Sequence, residues 1–402
     1  MIKSFSLIQW IIIIILALLT ALEPLSIDLY LPGFIMISET FGASISAVQI
    51  SLSTFLGGFA IGQLIWGPLA DRFGRKKPIL LSLLIFIAAS VACIYVKTIE
   101  QLWVVRFIQA IGGCGGIVIS RAIVTDYFDK SDTLKIFALL AVIMGIAPIV
   151  APSIGNGVLH VFEWEGLFGA MAILGVVLFL LTLFLLPETL KKQKSNAKSS
   201  VLTDYLQILQ VKKFVIYALL AGIVNGALMI YVANGPLIIM DKGGFSSDMF
   251  SIIFATNAFG LMISSFVTSR LQRYIATNKL VKLALLFMFA VSLILLALIY
   301  INAHIIIILV ALFFYIFPLG ILLPTTTELA ITPFTENSGA ASSLFGAIQL
   351  AVAFVCSIVS NYINDESLLA VGISFFLCSL FAFAIVFIKV DTQKEFSKEA
   401  IK

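Results

Sequence analysis

The chain is 402 residues long, 61% hydrophobic and only 11% charged, with a formal net charge of +4. A soluble domain carries roughly 25% charged and 45–50% apolar residues. A water-soluble fold is therefore excluded, lipid is the solvent implied, and the small positive balance gives no reason to invoke nucleic acid.

A spanning helix needs about 20 mostly apolar residues. Twelve segments qualify, at roughly 8–33, 45–70, 78–97, 101–125, 134–158, 164–187, 213–239, 248–269, 280–301, 304–327, 339–361 and 367–388. Each run is long and apolar on all sides rather than alternating, which predicts an all-α membrane protein and not a barrel. With a cytoplasmic N-terminus, the even-numbered connections and both tails gather nearly all the Lys and Arg. The outer loops hold only Lys97 and Lys242, and Arg106 and Arg121 fall within spans. Both termini are thereby expected on the cytoplasmic side.

The first span opens "MIKSFSLIQWIIIIILALLTALEP". Its apolar run exceeds the about 7–15 residues of a signal core and has no small-x-small cleavage site, so a retained span is expected. It closes on "LEPLSIDLYLP", Leu22 to Pro32, with two acids, Glu23 and Asp28, and two prolines, Pro24 and Pro32. Desolvated acids hold protons near neutral pH, which is what proton-coupled transport needs. Pro24, Asp28 and Pro32 are spaced by four and share a helix face, whereas Glu23 lies about 140° around. A span over 8–33 puts Glu23 nearer the midplane and Asp28 nearer the outer surface. Asp28 also reads as a structural hydrogen-bonding group near the outer headgroups.

The second span runs into "GQLIWGPLADRFGRKKP", Gly62 to Pro78. Gly57, Gly58 and Gly62 make a bare face for close helix packing. Asp71 at the helix end invites the N-terminus of another helix, and the eleventh span opens on the same side at "ENSGAASS". The fourth span reads "RFIQAIGGCGGIVISRAIVTDYF". Arg106, within the bilayer, should face a partner or a wet cavity, or else snorkel from near the outer end. Asp126 at the C-terminal end opposes the helix dipole and calls for a base, Arg75 or Arg121. In the fifth span, "MGIAPIVAPSIGNG", Gly145, Pro148, Pro152 and Gly155 fall on one face. The two prolines remove two backbone donors and bend the helix.

"PETLKKQKSNAKSS", Pro187 to Ser200, is polar and basic and reads as a flexible linker near anionic headgroups. It divides an N-terminal half, 1–187, from a C-terminal half, 213–402, with 188–212 between them. Gly62, Arg72 and Arg75 recur as Gly260, Arg270 and Arg273, about half the chain later, which supports two parallel six-span halves. A cavity between the halves would draw on Tyr30, Asn225, Tyr231, Asn234 and Gln349, each of which reads equally well as an interhelical hydrogen bond. In the tenth span Pro318 and Pro324 could shape a gate, with Glu328 more interfacial. The four cysteines, Cys93, Cys114, Cys356 and Cys378, lie in apolar runs without metal or redox spacing. His160 and His304 are too few and too far apart for a metal centre. No cofactor is expected. With no nucleophile–base pair and no nucleotide-binding glycine loop, neither is an enzyme.

The second-span stretch resembles the G-x-L-(A/S)-D-R-x-G-R-(K/R) signature of the major facilitator superfamily. That resemblance implies a twelve-helix, two-half fold and a conformational latch at Gly67, Asp71, Arg72, Gly74 and Arg75, with Asp126. "RFIQAIGG" resembles the family's fourth-span motif, linked to proton transfer through Arg106. "MGIAPIVAPSIGNG" resembles the G-x-x-x-G-P-x-x-G-G motif of antiporters, with Ala151 and Asn156 standing where that motif has Gly. Together with "PLSIDLYLP", "YVANGP" and "SGAASSLFGAIQ", these stretches are similar to the Bcr/CflA-type drug:proton antiporters over nearly the whole chain. The resemblance implies a monomer in a bacterial inner membrane, exporting drugs such as bicyclomycin or chloramphenicol-like compounds in exchange for protons. Export of a metabolite or siderophore, and proton-coupled uptake, are alternatives on the same fold. The family carries its acid at Asp28 and usually an apolar residue at Glu23, so Glu23 is expected to be a second protonation or cation-binding site particular to this chain.

Overall fold

The computed structural model describes residues 5–190, 201–334, 338–363 and 366–389, and every regular element among them is helical. Among the described residues, twelve helices are long and apolar enough to cross a membrane. Most of the basic linker, Glu336 and Asn337 at the opening of the eleventh span, and the basic tails lie outside the described residues.

The first span corrects the sequence reading. It runs Leu7–Phe41 instead of ending near residue 33. It begins with a capping box, in which Ser6 Oγ accepts from the Gln9 amide and the Gln9 side chain accepts from the Ser6 amide. An α-helix over Leu7–Asp28 is followed by a 3-10 turn, Leu31–Gly33, and a second helix, Phe34–Phe41. Pro32, which has no amide hydrogen to donate, sits inside that turn. Asp28 is thus the last residue of the first helical piece and lies within the span, away from its outer end. Pro32 no longer shares a helix face with it, because the chain leaves α geometry between them. The tenth span is broken in the same way, into Ile305–Ile316 and Leu319–Ile331 around Phe317 and Pro318. By contrast, the fifth span is one continuous helix, Lys130–Leu159, through both of its prolines.

The chain divides into two compact units, Met1–Thr203 with Gly235–Ala258, and Asp204–Asn234 with Phe259–Lys402. In the first, the second span (Ile45–Phe73) lies along the fourth (Ile99–Tyr127), the fourth packs on the third (Lys76–Ile94), and the third on the sixth (Glu165–Leu185). The predicted glycine face makes a close seam at two of its positions, Gly58 and Gly62. A Cβ on Gly58 would strike the Phe107 carbonyl, and one on Gly62 would strike Cys114. Two indoles then cross-link the pair: Trp66 Nε1 donates to the Ile111 carbonyl at 2.7 Å and Trp103 Nε1 to the Ala47 carbonyl at 2.7 Å.

In the second unit the ninth span (Thr277–Tyr300) packs on the twelfth (Leu368–Lys389) and on both pieces of the tenth. The ninth–twelfth pair is the third–sixth pair repeated six spans on. Gly260, the repeat partner of Gly62, likewise sits against the tenth span at Phe313.

Candidate functional site

The break in the first span leaves carbonyl groups at the end of its first helix without amide donors in register. Arg106, from the fourth span, fills that gap. One guanidinium nitrogen donates to the Ser26 carbonyl at 3.0 Å and the other to Gln109 Oε1 at 2.6 Å. Gln109 Nε2 in turn donates to Ser90 Oγ in the third span at 2.7 Å. The rings of Phe55, Tyr30 and Phe168 surround the guanidinium, with centroids 4.4, 4.8 and 5.8 Å away. A cation is favoured both at a helix C-terminus and over aromatic faces. Arg106 is 0% exposed, so the snorkelling alternative fails. Its setting is an aromatic box with a backbone cap, and no carboxylate among the described residues forms an ion pair with it.

Asp28, two residues beyond that cap, is 4% exposed. Among the described residues no hydrogen bond or ion pair reaches its carboxylate, and Glu23 lies within electrostatic range. Glu23 is only half-buried and has a different neighbour, the exposed guanidinium of Arg121. The two acids of one short stretch therefore occupy different settings: one enclosed and unpaired, the other on a partly open face near a base. An enclosed carboxylate without a partner is costly as an anion, so carrying a proton is chemistry that Asp28 is placed to do.

At the far end of the same bundle, Arg75 gathers three acids. Its Nε donates to Asp126 at 2.7 Å and one Nη to Asp71 at 2.5 Å. Of the two bases considered for Asp126, the structure takes Arg75. Asp71 is ion-paired four residues along its own chain; the opening of the eleventh span, to which the sequence pointed it, lies partly outside the described residues. Burial acts to lower the Arg75 pKa, but the hydrogen bonds to Asp126 and Asp71 outweigh it and raise it above its ordinary value. The third acid, Glu188, accepts from the Arg75 amide at 2.9 Å, the Lys76 amide at 3.2 Å and the Leu190 amide at 2.9 Å. Gly74 makes the turn at φ +91°, where side chains are strained, and a Cβ there would also collide with the Glu188 carboxylate. Arg72 is exposed, with its guanidinium 5.3 Å from the Phe73 ring. Gly67 faces open space.

The predicted cavity residues are mostly enclosed here. Tyr30 is fully buried and its hydroxyl bonds Ser51 Oγ at 2.9 Å. Asn234 is fully buried and donates to the Ile230 carbonyl one turn back at 2.9 Å. Tyr231 and Asn225 are also buried, and only Gln349 is half-exposed. Glu328 is exposed and accepts from Gln272, in keeping with an interfacial place. On the fifth span, Gly145 and Pro148 are half-buried and Pro152 is buried. A Cβ on Gly155 would meet the Leu29 carbonyl, so this glycine lets the fifth span press on the first-span break. Asn156, one residue on, donates to Asp248, which His160 Nε2 also approaches at 3.4 Å. Sequence reasoning singled out neither Glu188 nor Asp248, and met Gln109 only as the Gln of "RFIQAIGG". Only Gln109 had a local signal, three residues from Arg106.

The Major Facilitator Superfamily profile matches residues 16–355. A Bacillus subtilis (strain 168) protein named as an uncharacterized MFS-type transporter, YdgK, is 34% identical over 91% of this chain and 92% of its own length. A bicyclomycin resistance protein homolog of Haemophilus influenzae is 29% identical over 89% and 91%. Among solved structures, that of a D-xylose-proton symporter superposes with a TM-score of 0.77 at 14% identity, covering 94% of this chain and 97% of its own. That likeness concerns the fold.

Proposed function

The chain belongs to the Major Facilitator Superfamily, and from that premise we propose that it exports drugs or similar small organic molecules by proton antiport with alternating access. It is a multi-pass membrane protein by its twelve apolar helices. The proposal places it in a bacterial inner membrane with both termini cytoplasmic, as a monomer of two six-span halves, 1–187 and 213–402. The bicyclomycin resistance homolog supports drugs as the substrate class.

Asp28 is the observation that carries the coupling reading. It is an enclosed, unpaired carboxylate at the helix break. In the antiport cycle Asp28 loads a proton from the outer side and releases it inward, and the outgoing substrate takes the opposite path. Arg106 holds the break open at Ser26 from one side, and Gly155 admits the fifth span against Leu29 from the other. Shifts of the fourth or fifth span are therefore felt first at the residues flanking Asp28. Arg75, clamped by Asp71 and Asp126, serves as the latch at the cytoplasmic end.

Everted vesicles with an imposed acid-inside gradient test this. Bicyclomycin or chloramphenicol should accumulate, and a protonophore should abolish the accumulation. Accumulation that persists after the gradient is collapsed would sink proton antiport.

A further inference from the structure

The third span has no cap of its own. Its N-cap position is Arg75, in helical geometry and with no side-chain bond to the helix's first amides, and its first two residues are Lys76 and Lys77. Serine, threonine, asparagine or aspartate would ordinarily take up the first free amides, and positive charge at a helix N-terminus is unfavourable. Glu188 meets both needs from 112 residues away: its carboxylate accepts the Lys76 amide at 3.2 Å and the Arg75 amide at 2.9 Å. It also folds its own segment back through the Leu190 amide at 2.9 Å, and Leu186 and Thr189 on either side are buried.

The amide that Glu188 fixes belongs to the residue whose guanidinium joins Asp71 to Asp126. Gly74, immediately before it, leaves room for the carboxylate and cannot carry a side chain in this geometry. Backbone and side chain of Arg75 are thus held by different carboxylates, one of them at the threshold of the inter-half linker. We propose that Glu188 is a positioning residue for Arg75: it orients the guanidinium toward Asp126 and ties the linker to the 74–76 turn. The turn then cannot rearrange without releasing the Glu188–Leu190 segment. This rests on reading the Arg75 turn as a latch.

Amide hydrogen exchange on the full chain in lipid nanodiscs provides a test that needs no substrate. Glu188→Ala should speed exchange of the Arg75 and Lys76 amides at least tenfold. Glu188→Gln, which keeps an acceptor and loses the charge, should fall between Glu188→Ala and the unaltered chain. It also decides the matter if Glu188→Ala fails to fold. Unchanged exchange at these amides in the folded variant overturns the proposal. The positioning role is read from transport: Glu188→Gln should lower turnover several-fold with KM within twofold, and should add nothing in an Arg75→Ala background. An equal loss in both backgrounds would make Glu188 a mere cap and overturn the positioning role. If the unaltered chain moves neither drug probe, the antiport reading fails and the exchange result alone decides for or against Glu188.

Discussion

Glu23 and Asp28 show how far five positions separate two identical functional groups. Asp28 is enclosed and unpaired, whereas Glu23 is half-buried within range of Arg121. Asp28→Asn should therefore abolish gradient-driven accumulation while leaving substrate binding measurable. Glu23→Gln should keep the coupling and change which substrates are carried, cationic ones most. Uptake assays across a pH series check both, and normal transport by Asp28→Asn at every pH would refute the assignment. Glu188 makes a further residue-level prediction. Burial acts to raise its pKa, but the amides of Arg75, Leu190, Lys76 and Thr189 outweigh it and hold the carboxyl below the ordinary value. Its stabilisation is then fully present above the unfolded carboxylate pKa of about 4.3 and is lost as pH falls through the lower folded value. Protection factors of the Arg75 and Lys76 amides should be flat between about pH 5 and 8 and fall below about pH 4. Asp28 was legible because an acid in an apolar run is out of place. Glu188 was not, since the helix it caps begins 112 residues earlier.

At the scale of elements, glycines separate into those that seat a neighbour and those that do not. Gly155 presses on the Leu29 carbonyl, and Gly67 faces open space. Overpacking costs about 1–3 kcal/mol, so Gly155→Val should lower the melting temperature in detergent and slow transport. Gly67→Ala should be neutral or stabilising by up to about 1 kcal/mol, since helical glycine is entropically costly. A comparable loss in both would mean that the fit at Leu29 is not the reason for Gly155. Removing Arg106 acts at the same junction: Arg106→Ala leaves the Ser26 carbonyl and Gln109 short of a donor, at about 1–3 kcal/mol for each group stranded. The helix break that Arg106 caps was only half legible. Pro32 announced a bend, but the apolar run reads as a span ending near residue 33, and the helix resuming at Phe34 carries Ser38, Glu39 and Thr40, which dilute the apolar signal. Local pattern shows where a helix is disturbed, and packing decides whether it continues.

For the whole molecule, the sequence made the twelve spans readable because lipid leaves few alternatives to a long apolar helix. Which spans touch was less readable, and it came through only where glycines or paired motifs marked a seam, as at Gly58 and Gly62. Orientation is expected from charge alone: counting spans along the sequence assigns Arg72, Arg75, Lys76, Lys77, Arg270 and Arg273 to one side of the membrane and Lys97 and Lys242 to the other. It can be measured by placing single cysteines in a chain whose Cys93, Cys114, Cys356 and Cys378 have been replaced. Lys97→Cys and Lys242→Cys should react with a membrane-impermeant maleimide added to intact cells. Arg273→Cys should react only after the membrane is opened. All four native thiols lie within spans, so their replacement by alanine or serine should leave the fold in place. The outcome bears on more than topology. With the predicted orientation, the Arg75 turn and the Glu188 segment face the cytoplasm, where the proposed latch would control substrate entry for export. The reverse labelling pattern would put that latch on the outer side and overturn the predicted topology, while exchange against an inward proton flux would still move substrate outward, so orientation and coupling are decided by separate measurements.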